Sequence, residues 1–194
     1  MARPDNRELG PEELKALTHP VRVRILKELR SDGPATASLL ARRLGESSGV
    51  TSYHLRQLER HGFVEDAPDI GDGRDRWWRP TFGGHSVRTE RFLDDPEQAA
   101  VVQMYEANVV EVHARQTAEW VATQSDWGPE WAEATALNDY RLRLVPARLK
   151  ELTEAVHDLV ESFREDDEAL AEGENVVVVF QAFPRRVRPF AEES

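Results

Sequence analysis

Gly49, Ser52, Tyr53, Arg56 and Arg60 recur at steps of one, three and four residues. Side chains at that spacing share one face of a helix. This face is small, hydroxyl-bearing or cationic, and the row holds no carboxylate. A helix lying in a DNA major groove needs that chemistry: small residues for close approach, hydroxyls for phosphates and base edges, and arginine for guanine or phosphate. Ser47 and Ser48 stand at the start of such a helix, where free backbone N–H groups favour a phosphate. The plainer reading of the row is the solvated face of an ordinary helix.

Other residues must aim this face. On its opposite side Val50, Leu55 and Leu58 are expected to turn inward, with Thr51 and His54 at the margin. Leu40 and Leu44 of a preceding helix would meet them across the turn at Gly45. Thr36 suits the cap of that preceding helix and Gly45 its end. Upstream, His19-Pro20 breaks a short helix and starts another, in which Val21, Ile25 and Leu29 repeat every four residues. Downstream, residues 63–67 and 74–79 flank a Gly/Asp turn and predict a hairpin. Its Arg74 and Arg76 suit flanking phosphates or the minor groove, although Asp69, Asp72 and Asp75 lie close enough to pair with them. Trp77 and Trp78 are expected on opposite faces of the second strand. Three helices followed by a hairpin are the parts of a winged helix.

The stretch from Leu14 to Leu29, with Leu17-Thr-His-Pro-Val-Arg22 inside it, together with His54-Leu-Arg-Gln-Leu-Glu-Arg-His-Gly62, resembles the ArsR family of bacterial winged-helix repressors. The resemblance covers residues 11–82. It implies a winged-helix fold, a homodimer, double-stranded DNA as partner and residues 48–60 as recognition helix. The family's DNA-facing places fall on Ser47, Ser48, Gly49, Ser52, Tyr53 and Arg56. Metal sensing does not carry over. The chain has no cysteine, and Glu111 and His113, two apart, point away from each other on a helix. No metal or other cofactor is expected.

The rest of the chain lies outside the resemblance. Residues 1–91 carry 16 Lys and Arg against 14 Asp and Glu, while residues 92–194 carry 9 against 22. The net charge of −11 therefore belongs to the C-terminal half, and DNA contact must come from a local patch. Pro96 opens a long helical segment on which Val102, Tyr105, Val109 and Val112 form an apolar seam suited to dimerisation. Trp120, Trp127 and Trp131 suit either a packed core, the commoner use of clustered aromatics, or a pocket for a small apolar effector. Residues 141–145 alternate, Pro146 starts a helix, and residues 176–180 read as a buried strand, which together predict a strand-helix-strand unit.

The expected fold is thus mainly α with small β. A winged helix-turn-helix domain (residues 11–82) precedes a helical dimerisation region (residues 92–183). The expected function is a sequence-specific, dimeric repressor acting on an inverted-repeat operator. The competing reading is a winged helix used for protein–protein contact. An enzyme is not expected, because the sequence has no phosphate-cradling Gly-rich loop, no thiol and no recognisable Ser/His/Asp context. With no signal-peptide core and no apolar run near the roughly 20 residues of a membrane span, a cytoplasmic location is expected.

Overall fold

The computed structural model describes residues 7–71, 75–163 and 173–186. The chain divides into two compact units, Met1–Asp126 and Trp127–Ser194.

The first unit holds β1 (Arg7–Glu8), α1 (Pro11–Ala16), α2 (Pro20–Ser31), β2 (Ala35–Thr36), α3 (Ala37–Leu44), α4 (Ser48–Arg60), β3 (Val64–Asp66), β4 (Trp77–Pro80), β5 (His85–Ser86) and α5 (Pro96–Thr123). The helix boundaries follow from local chemistry. His19 caps α2, its Nδ1 accepting from the Val21 N–H at 3.2 Å, and Pro20 takes the first helical position. Thr36 Oγ1 accepts from the Leu39 N–H at 3.2 Å, and Gly45 ends α3 in the left-handed conformation at φ 69°. Asp95 Oδ1 receives the N–H groups of Glu97 and Gln98 at 2.9 and 3.2 Å ahead of α5.

β3 and β4 form the expected antiparallel hairpin, with Glu65 opposite Arg79 and Asp66 opposite Trp78. Its turn residues 72–74 lie outside the described residues. The structure adds a third strand: β2 pairs with β4 on the other side, Ala35 opposite Trp78 and Thr36 opposite Trp77. Trp78 is buried and Trp77 half-buried, on opposite faces as expected. β1 and β5 run parallel as a separate pair.

The core lies among Leu14, Leu17, Ile25, Leu29, Leu40, Leu55, Leu58 and Phe63, all essentially inaccessible. It reaches α5 through Val102. The first unit therefore runs past residue 82, the expected domain boundary, because α5 packs on α1 and α2.

The second unit contains α6 (Pro129–Ala134) and α7 (Pro146–Ser162). Residues 141–145 and 176–180 are not strands. The expected strand-helix-strand unit is thus present only as its helix. Among the described residues, neither flanking segment has a backbone partner to make a ladder. No described side chain of this unit is buried. No helix among the described residues is long and apolar enough to cross a membrane.

Candidate nucleic-acid interface

The turn Gly45-Glu46-Ser47 sets the angle between α3 and α4, the most extensively packed pair of helices. Ser47 Oγ accepts from the Val50 N–H at 3.2 Å and caps α4. Thr51 is fully buried, and its hydroxyl donates to the Ser47 carbonyl at 3.1 Å. Thr51, Leu55 and Leu58 fix the inner face of α4. Val50, expected inside, is 39 % exposed because it sits in the first turn at the edge of that apolar arc. His54, expected at the margin, is buried instead.

The outward row forms as the sequence predicts. Ser47, Ser48, Gly49, Tyr53, Arg56 and Arg60 are exposed and Ser52 is half-buried. The ring of Tyr53 is 55 % exposed, with its edge set against His54 at a centroid distance of 5.2 Å. Arg56 Nε donates to the Ser52 carbonyl at 3.2 Å, which lays the guanidinium along the helix. Among the described residues, neither Arg56 nor Arg60 is engaged in an ion pair. Arg42, exposed on the last turn of α3, is likewise unpaired. A cation within one turn of Gly45 is the sequence signal that marks it.

The hairpin arginines behave differently. Arg74 lies outside the described residues. Arg76 is held by two carboxylates, Glu59 of α4 at 2.7 Å and Asp66 of β3 at 3.1 Å, and its guanidinium lies 4.0 Å from the ring centre of Trp78. It ties hairpin to helix, and it pairs with Glu59, which neighbours Arg60 of the outward row. Arg79 is similarly held by Glu65 and Asp69.

Two histidine groups support the interface from behind. The rings of His54 and His19 meet at 4.2 Å, and His54 Nδ1 is buried without a hydrogen-bond partner. Burial, then the neighbouring His19 and Arg22 charges, push the His54 pKa below its ordinary value. Burial, then Arg22, lowers that of His19. Further away, Arg30 Nη1 lies 2.8 Å from His85 Nδ1, and His85 Nε2 lies 2.7 Å from the Tyr105 hydroxyl. A guanidinium can only donate, so Nδ1 accepts and Nε2 carries the proton it gives to Tyr105. Burial, with the Arg30 charge second, lowers His85 to about 4. Burial also lowers Arg30 to about 10 and raises Tyr105 to about 12.

The expected dimer seam is turned the other way. Val102 and Val112 are buried, and Tyr105 is bound to His85. Val109 is half-buried on the same side, and the neighbouring Asn108 Nδ2 donates to the Leu17 carbonyl at 3.3 Å. This seam joins α5 to its own domain, because large apolar residues find their burial first in the core of their own chain. The opposite side of α5 presents Met104, Ala107, Val110, Ala114, Ala118 and Val121, all exposed. Of the three tryptophans, Trp127 and Trp131 meet edge-on at 5.5 Å, while Trp120 belongs to the first unit. The described residues contain no group of three or more His, Cys, Asp or Glu able to hold a metal.

Three helices, a three-stranded sheet and a helix-turn-helix with its outward polar row define a winged helix-turn-helix domain. Residues 17–67 match a family model described as a helix-turn-helix domain. No curated protein matches the chain. Among solved structures, it is similar to reduced HlyU from Vibrio cholerae N16961, with 23 % identity over 47 % of this chain and 78 % of that one, TM-score 0.31. It is also similar to the transcriptional regulator Tm0710 from Thermotoga maritima, with 16 % identity over 73 % and 77 %, TM-score 0.30. A third is the adhesin competence repressor AdcR from Streptococcus pyogenes, with 18 % identity over 79 % and 81 %, TM-score 0.30.

Proposed function

We propose that this chain is a sequence-specific DNA-binding transcription regulator that acts as a homodimeric repressor. The carrying observation is the outward row Ser48, Gly49, Ser52, Tyr53, Arg56 and Arg60 on a packed α4, with neither arginine in an ion pair among the described residues. In this reading α4 enters the major groove. Arg56 and Tyr53 read base edges, Arg60 and Arg42 hold phosphates, and the Ser47-Ser48 start of α4 takes a further phosphate. Arg76 serves by fixing the hairpin to α4 and neutralising Glu59. Two copies joined along the Met104, Ala107, Val110, Ala114, Ala118 and Val121 side of α5 would address half-sites about 34 Å apart.

The test is selection of bound duplexes from a random pool, followed by titration of the enriched site at two salt concentrations. An enriched inverted repeat whose affinity falls with salt supports the reading. With Arg56→Ala, affinity for the enriched site should drop about 10-fold or more, equivalent to the roughly 1–3 kcal/mol of a base contact. Discrimination against a changed base should weaken at one position per half-site. A pool that shows no enrichment at low salt would favour the protein-contact reading of the winged helix.

A further inference from the structure

The second unit has the wrong surface for a body that stands alone. Among its described residues none is buried, yet it displays Leu142, Leu144, Leu159, Phe163 and five consecutive apolar residues at 176–180. A folded unit holds its backbone in place by burying apolar surface. Among the described residues this unit has apolar surface in quantity and leaves it exposed.

Two of its features are complementary. The first is a groove of about 380 Å³, walled by Leu142 and Leu144 of the extended segment and by Leu152 and Ala155 of α7, with Arg148 and Glu151 at its rim. The second is Val176-Val177-Val178-Val179-Phe180, β-branched and aromatic residues of high strand propensity. Residues 175–184 carry no charged side chain, so this stretch can approach a second acidic unit without bringing charge to it. Neither residues 141–145 nor residues 176–180 have a backbone ladder partner among the described residues. At about 3.3 Å per residue both measure roughly 17 Å, a match in length for one strand pair. Val176, Val178 and Phe180 share one face of the segment and are 68, 63 and 45 % exposed, so the segment is not seated in its own groove.

We propose that the occupant of the groove is residues 176–180 of a second copy, exchanged reciprocally about a two-fold axis. Val176, Val178 and Phe180 lie on Leu142, Leu144 and Leu152, and the backbone pairs with residues 141–145. The contact is isologous, since each copy supplies one groove and one strand. The exchange covers both apolar surfaces and satisfies two open strand edges at once. It does not depend on the DNA reading or on the α5 contact.

The absence of cysteine from the chain makes the test direct. Full-length Leu144→Cys and Val178→Cys proteins are mixed in equal amounts and oxidised at low micromolar concentration. A disulfide needs Cβ atoms within about 3.5–4.5 Å, so the cross-link reports direct contact between the two segments. The expected result is a mixed covalent dimer at least five-fold more abundant than the linked species of either protein alone, and suppressed when Phe180→Asp is added to the Val178→Cys chain. Two outcomes overturn the proposal: no mixed dimer, or a Leu144→Cys/Val178→Cys double variant that links only within one chain and keeps monomer mass. Neither of those would bear on the selection of duplex DNA, so the two readings fail separately.

Discussion

Acid should weaken the first unit through one imidazole. In the neutral form, His85 accepts from Arg30 and donates to Tyr105, linking α2, β5 and α5. Its folded pKa of about 4 lies below the ordinary 6.5, chiefly through burial and secondarily through the Arg30 charge. A lowered folded pKa means that the stabilisation is complete above the unfolded value and is lost as pH falls from 6.5 through 4. At 1.36 kcal/mol per pKa unit, the loss is about 2 kcal/mol by pH 5 and about 3 kcal/mol by pH 4. His19, His54 and His113 are also lowered and add their own acid sensitivity, so a bare pH profile would not isolate His85. The comparison that does is with His85→Gln, whose amide oxygen and N–H groups can serve both neighbours without titrating. Urea unfolding of both proteins at pH 7 and pH 5 should show the wild type losing about 2 kcal/mol more than the variant. Equal losses, to within about 0.5 kcal/mol, would refute the assignment of a neutral, burial-shifted His85.

Other substitutions test the frame of the interface. Leu55→Ala empties a fully buried site between α4 and the core, and should cost about 2–5 kcal/mol by denaturant unfolding. Thr36→Val keeps the bulk and removes the acceptor for Leu39 N–H; a drop of about 1 kcal/mol is expected, and an unchanged midpoint would deny the cap. Gly45→Ala meets no neighbouring atom but places a side chain at φ 69°. Thermal unfolding should report a loss of about 1 kcal/mol or more from backbone conformation alone. Val110→Asp on the outer side of α5 should lower the dimer fraction in light scattering while leaving the domain folded, whereas Val102→Asp on the inner side should unfold it.

Much of the first unit was legible because single residues punctuate it. Pro20, Thr36, Gly45 and Pro96 each mark a helix end by a local hydrogen-bond or dihedral requirement, and each end falls where those residues place it. The outward row of α4 was legible because a helix fixes which positions share a face. β2 was not, since two residues have no period and Ala35–Thr36 become a strand only through Trp77 and Trp78, some forty positions away. The inward turn of the Val102 and Val112 side of α5 was hidden for a related reason. Periodicity finds an apolar seam but does not say whose core it fills. The ion pairs of Arg76 were equally hidden, because a hairpin fixes neither the distance to Glu59 nor that to Asp66.

Thr36 has a consequence for how such a protein could be switched. Its side chain starts α3 while its backbone is a rung of the sheet that carries the hairpin, and Arg76 bolts that hairpin to α4. The helix-turn-helix and the described strands of the hairpin are therefore joined at two places, the start of α3 and the side of α4. In the DNA-binding role proposed above, a signal arriving elsewhere in the chain would then move α3, α4 and these strands together. In a dimer it would act on the gauge between two fixed heads, so induction would show as a change in preferred half-site spacing with base preference within each half-site unchanged.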